Sequence, residues 1–137
     1  LGDVYKRQAL ERAKDRLGIN ATKVSWIVSN IIDFKPEQNY DVWHDRAAFH
    51  FLTKENNIRT YVSITEKHVT KNLIIGTFSN DGPLKCSGLE ITQYSRNKMQ
   101  ETFNSKFELV KSLIKNHQTP FDTIQNFIFC SFMKRYE

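Results

Sequence analysis

The run Leu73-Ile74-Ile75-Gly76-Thr77-Phe78 constrains the fold more than any other segment. It is continuous and apolar, without the polar alternation of a strand that has one wet face. It is far short of the roughly 18 apolar residues a membrane span needs. A short run of this kind suits a strand covered on both faces, as in a parallel sheet. Val24-Ser25-Trp26-Ile27-Val28, Tyr40 to Asp45 and Asn126 to Phe132 read as further strands.

Helical patterns separate these runs. Ala9, Leu10, Ala13 and Leu17 share one helical face, and Gly18 stands where a C-cap would. Thr53 can cap a helix whose stripe is Ile58, Tyr61, Val62, Thr65 and Val69. Ser95 can cap another through Met99 and Phe103. Phe107 to Ile114 fits a strand through Phe107, Leu109 and Leu113, or a helix through Phe107, Val110 and Ile114. Asn30 to Asn39, with Pro36, is a connection; Ser79 to Gly88, with two glycines and Pro83, is a loop. Alternation of strand and helix predicts an α/β fold with a mostly parallel sheet. The last two strands, joined around Thr119-Pro120, can be antiparallel because their link is short.

At 137 residues the chain reads as one domain, and 39 % apolar and 12 % aromatic residues argue for a packed core over disorder. The net charge of +5 admits nucleic acid as a partner. The lysines, however, are scattered among Asp and Glu rather than gathered with stacking aromatics, so a solvated surface is the expectation. Cys86 and Cys130 show no disulfide framework, and neither they nor the four histidines have metal-ligand spacing. A reduced, cytoplasmic protein without a structural metal is expected.

The order of segments resembles the later half of class I S-adenosylmethionine (SAM)-dependent methyltransferases. VSWIVSNIIDF resembles the third strand and the adenine-side turn after it. YDVWHDRAAFHFL resembles the fourth strand and its loop, HVTKNLIIGTF the fifth strand, and TFSNDGPLKCSGL a loop of one bacterial subgroup. The resemblance implies a Rossmann-like sheet, of which this chain holds strands three, four and five and a closing β hairpin. Strands one and two, the GxGxG turn and the acidic ribose anchor are not in it. In the family the sheet order is 3-2-1-4-5-7-6. Strand three is therefore expected to lack a partner, leaving the isolated chain unstable or inactive, or else to re-pair beside strand four. Asp3-Val4-Tyr5-Lys6-Arg7-Gln8 resembles one reading frame of a transposase end sequence used in DNA library preparation. Residues 1–8 are accordingly expected to be translated adapter, and 9–137 methyltransferase sequence.

The resemblance also implies site residues. In a doubly wound sheet the ligand lies at the carboxyl ends of the strands, which makes Asn30 and Ile31, His44 to His50, and Ser79 onward the candidates, with the Ser79–Gly88 loop roofing the substrate side. Asn30 and the Ile31 backbone would contact adenine; Asn30 stands where the family most often has Asp, and its amide oxygen can still accept a hydrogen bond. His44, Asp45 and Arg46 would lie by the methionine part of SAM, although Asp45 and Arg46 could instead pair with each other or bind a substrate carboxylate. His50 is the candidate general base, with helix packing as the alternative. The implied activity is methyl transfer from SAM to a small-molecule acceptor. An RNA- or protein-directed methyltransferase and a non-catalytic basic binding module are the alternatives. HDRA after strand four, in place of an Asn/Asp-Pro-Pro-aromatic motif, speaks against methylation of base amino groups.

Overall fold

The computed structural model describes residues 2–136. The chain forms two compact units, one ending at Phe34 and the other beginning at Lys35. The first unit carries α1 (Gly2–Leu17) and a 3-10 turn (Gly18–Lys23). The helix starts upstream of the expected Ala9. Gly18, at φ +55°, ends it in the left-handed conformation that glycine adopts without strain. Trp26 folds back on this turn: its Nε1 donates to the Ala21 carbonyl at 3.0 Å, and the Lys14 ammonium stands 5.8 Å from the ring centre. The expected strand Val24–Val28 does not form. The run stays outside any strand, and none among the described residues pairs with it. Of the two expected outcomes for strand three, the unpartnered one holds. The reason is physical: β propensity is largely a preference for packing on a pleated neighbour, and without a ladder it has nothing to act through.

The second unit is built on a four-stranded sheet. Its strands are β1 (Tyr40–Arg46), β2 (Val69–Phe78), β5 (Phe107–Gln118) and β6 (Ile124–Lys134), in the order β1-β2-β6-β5. β1 and β2 are parallel and joined through α2 (Glu55–His68); β6 runs antiparallel to both β2 and β5. This is the 4-5-7-6 half of the order expected from the resemblance. The ambiguous segment is resolved as strand, with a register shift between Leu109 and Lys111. That shift bears on why a helical period fitted as well as alternation did, since a bulge inserts one residue into the alternation. The segment after β2 carries a two-residue hairpin, β3 (Lys85–Cys86) and β4 (Leu89–Glu90). α3 (Arg96–Phe103) is capped as expected, the Ser95 hydroxyl accepting from the Lys98 amide at 3.1 Å. α2 departs from expectation: Lys54, not Thr53, is its N-cap residue, and Val69 opens β2 rather than continuing the helical stripe.

Side chains alternate across a strand, and the register puts Trp43, Asp45, Leu73, Ile75, Ile128, Cys130 and Phe132 on one face. That face is packed by α2 and α3. Phe49 is the hub, with ring centres 4.6 Å from Tyr61, 5.1 Å from Tyr94 and 5.4 Å from Phe103; Phe103 in turn meets Phe132 at 5.3 Å. On the other face Phe78, Phe127 and Phe129 form a second aromatic row, and Val42, Met133 and Leu113 are exposed. Gly76 makes that row possible, because a Cβ there would come within 2.5 Å of the Phe129 ring.

Candidate active site

Asp45 organises the carboxyl end of β1. One carboxylate oxygen accepts from the backbone amides of Ala48 at 3.0 Å and Phe49 at 3.2 Å. The other accepts from the Tyr61 hydroxyl at 2.7 Å, and that hydroxyl accepts from Trp43 Nε1 at 3.0 Å. A carboxylate holding backbone amides in this way fixes the turn that follows. Here it allows Ala47 to adopt φ +60°, a conformation L residues rarely take, which the Ala47 amide anchors by donating to the Gly76 carbonyl at 2.8 Å. Burial, reinforced by the neighbouring carboxylate, pushes the Tyr61 hydroxyl well above its ordinary pKa, so it stays a donor.

This geometry corrects one expectation, the Asp45–Arg46 pair, and narrows another. The Asp45 side chain is buried on the helix-covered face and fully engaged, so only its backbone can face a ligand. It also makes no ion pair with Arg46, which points to the opposite face and is exposed. His44 shares that exposed face with Arg46.

His50 lies in the 3-10 turn Phe49–Phe51 after β1 and is fully buried. Its Nδ1 accepts from the Phe78 amide at 3.2 Å, so the proton of the neutral ring sits on Nε2. Burial pushes its pKa down to about 4. A base needs a free lone pair, and this ring has already used its own on the end of β2. The base reading therefore does not fit; the ring is a neutral donor whose Nε2 has no protein partner. Its packing between Phe78 and Phe51, with ring centres at 4.6 and 4.8 Å, matches the helix-packing alternative more closely.

The segment after β2 is stitched to both neighbours. Ser79 donates its amide to the Asn126 carbonyl at 3.0 Å and its hydroxyl to the Asn126 side-chain oxygen. Tyr94 returns beside β2, donating to the Phe78 carbonyl at 3.0 Å. Thr92 joins this return to the histidine turn, through its amide on the His50 carbonyl at 2.7 Å and its hydroxyl on the Leu52 carbonyl at 3.0 Å. His50, Ser79, Thr92 and Asn126 thus meet at the carboxyl end of the sheet. Sequence reasoning marked His50 and the segment from Ser79 onward, and missed Thr92 and Asn126; Tyr61 was read only as part of an apolar stripe.

Asn30 and Ile31 belong to the first unit. Asn30 is exposed and opens a turn in which its side-chain oxygen lies 3.5 Å from the Ile32 amide and its carbonyl accepts from Asp33 at 3.0 Å. Among the described residues no group of three or more His, Cys, Asp or Glu could hold a metal, and no helix is long and apolar enough to cross a membrane.

No protein-family profile and no curated protein matches the chain. Solved structures do. The N-methyltransferase NodS of Bradyrhizobium japonicum WM9, in complex with S-adenosyl-L-homocysteine, superposes with a TM-score of 0.66 at 13 % identity, over 93 % of this chain and 62 % of NodS. An S-adenosylmethionine-dependent methyltransferase from Clostridium acetobutylicum gives 0.67 at 6 % identity, over 94 % and 72 %. The fold is that of the class I methyltransferases. Magnesium protoporphyrin IX methyltransferase of Synechocystis PCC 6803, with bound SAM, gives 0.65 at 11 % identity and is spanned over 53 % of its length. This chain therefore carries part of the methyltransferase fold, 62 % of the length of NodS, with the expected sheet order in the second unit.

Proposed function

We propose that this chain is part of a SAM-dependent methyltransferase acting on a small-molecule acceptor. The observation that carries the reading is the β1-β2-β6-β5 sheet with a Tyr61–Asp45-clamped turn at its carboxyl end, in a fold shared with proteins crystallised with SAM or S-adenosyl-L-homocysteine. The residues present fit such a cofactor. Asp45 withdraws its charge inward, leaving backbone at the strand end to meet an uncharged or cationic ligand part. In the first unit the resemblance assigns Asn30 and the Ile31 backbone to adenine. When bound, SAM supplies an activated methyl group, and the protein's share is then alignment and exclusion of water.

No protein base is needed in this reading, since well-oriented alignment alone can supply about 7–11 kcal/mol of the barrier. His50 supports the site as a rigid neutral donor. Nucleic acid is not expected as a substrate, the basic residues being scattered. Two free cysteines, Cys86 and Cys130, support a reduced, cytoplasmic setting.

Equilibrium dialysis of labelled S-adenosyl-L-homocysteine against the product of the complete reading frame tests the proposal. Saturable binding, weakened about tenfold or more by Asn30→Ala, is expected. Absence of binding, in a frame that also encodes no glycine-rich turn followed about 20 residues later by an acidic residue, would overturn it.

A further inference from the structure

Among the described residues, Ala47, Ser87 and Asp122 hold a positive φ without being glycine. Two of them sit in hairpin turns. Ser87 shares the β3–β4 turn with Gly88, and a pair of positive φ values there matches the twist of the flanking strands. Asp122 stands in the β5–β6 turn, and aspartate tolerates this conformation better than most residues. Neither reason applies to Ala47. It follows directly on β1, a strand in parallel pairing, at the carboxyl end of the sheet. Backbone strain of this kind persists only where the surroundings over-determine it, and it gathers at active sites and ligand clamps.

Three successive backbone amides are held at this turn. The Gly76 carbonyl takes that of Ala47 at 2.8 Å, and one Asp45 oxygen takes those of Ala48 and Phe49 at 3.0 and 3.2 Å. The other Asp45 oxygen is fixed by the Tyr61 hydroxyl at 2.7 Å. Tyr61 lies within α2, fully buried, with its ring against Phe49 and Trp43 at 4.6 and 5.9 Å and its oxygen accepting from Trp43. The turn is thus tied through one carboxylate to the packed core, which is how a binding geometry is held to fractions of an ångström. Ala48 itself is exposed, and its methyl group is small, so the backbone of the turn stays approachable from solvent.

We infer that Tyr61 is a positioning residue for the cofactor: through Asp45, its hydroxyl holds the strained turn Ala47–Phe49 in the form that receives SAM. The inference rests on the methyl-transfer reading, which puts the ligand at this end of the sheet. It adds a residue that acts from inside α2 without touching the ligand. Without the Tyr61 donor the Asp45 carboxylate is free to rotate, and Ala48 and Phe49 lose a fixed acceptor. Ala47 can then relax to negative φ, and affinity falls in proportion to the fraction of molecules that keep the held form.

The experiment measures labelled S-adenosyl-L-homocysteine binding to the product of the complete reading frame and to three variants of it. Tyr61→Phe keeps the ring and should weaken binding about tenfold, the loss expected when roughly one molecule in ten keeps the held turn. Met99→Ala, a truncation of a buried side chain on α3, reports what lost stability does by itself and should leave the affinity unchanged. Ala47→Gly, added to Tyr61→Phe, should restore most of the lost affinity, because glycine takes a positive φ without strain and the turn then depends less on the clamp. A defect confined to the core would not be repaired at that position. Wild-type affinity in Tyr61→Phe, an equal loss in Met99→Ala, or no recovery with Ala47→Gly would each overturn the inference and leave the methyl-transfer reading standing. A wild-type protein that binds no S-adenosyl-L-homocysteine overturns that reading, and the inference with it.

Discussion

The two units use similar sequence material to opposite effect. Among its described residues the first unit buries none, and Val4, Leu17, Ile19, Val24 and Ile27 are all exposed. The second buries an aromatic cluster in which Phe49, Tyr61, Tyr94 and Phe103 are all at most 1 % exposed. Both contain an amphipathic helix and a β-prone run. Only the second supplies each with a surface to pack on. Local pattern proposes an element, and a partner decides whether it is stabilised, because most helix and strand stability in proteins comes from tertiary packing.

The sharpest way to break this contrast is to empty the cluster. Phe49→Ala removes the ring that Tyr61, Tyr94 and Phe103 share, and should cost about 3–5 kcal/mol. Urea unfolding followed by near-ultraviolet circular dichroism would show it as a large drop in midpoint. A loss below about 1 kcal/mol would mean the cluster is not what holds the second unit.

His50 gives the next effect, and its sign can be derived. Its folded pKa is pushed down to about 4, whereas an unfolded histidine titrates near the ordinary 6.5. Between these values the unfolded chain binds the extra proton, so the contribution is fully present above pH 6.5 and lost as pH falls towards 4. The loss should reach about 3 kcal/mol. His50→Gln should flatten that part of the stability-against-pH curve, and an unchanged slope would show that the ring is solvated.

How much was legible follows from these same residues. The β2 run was readable because its carboxyl-terminal half, Ile75 to Phe78, is buried on both faces, so composition and environment agree. Val24–Val28 was as β-prone and failed because nothing in composition reveals whether a neighbour exists. In the site, the position of His50 after a strand was readable. Its tautomer was not, since that depends on the Phe78 amide, 28 residues away in sequence. The role of Asp45 was likewise hidden in a 16-residue separation from Tyr61.

Tyr61→Phe isolates that hidden link at a smaller scale. It keeps the ring in the cluster but removes the donor to Asp45 and the acceptor for Trp43. A cost of about 1–3 kcal/mol is expected, with amide exchange at Ala48 and Phe49 accelerating, since the carboxylate that holds them loses its second anchor. Unchanged exchange there would separate the turn from the Tyr61 clamp.

The smallest effect belongs to the first unit. Leu17 is 42 % exposed at the end of α1, where its burial in a helical stripe was expected. If packing rather than pattern carries stability, Leu17→Ala should change unfolding free energy by no more than about 0.5 kcal/mol, the range of surface substitutions. Native-state hydrogen exchange gives the companion measurement. Amides of α1 should exchange through local fraying, insensitive to Phe49→Ala, while those of β2 and β6 should slow or quicken with the stability of the second unit. A Leu17→Ala loss comparable to that of Phe49→Ala would instead place the apolar face of α1 against a partner surface and remove the contrast between the two units.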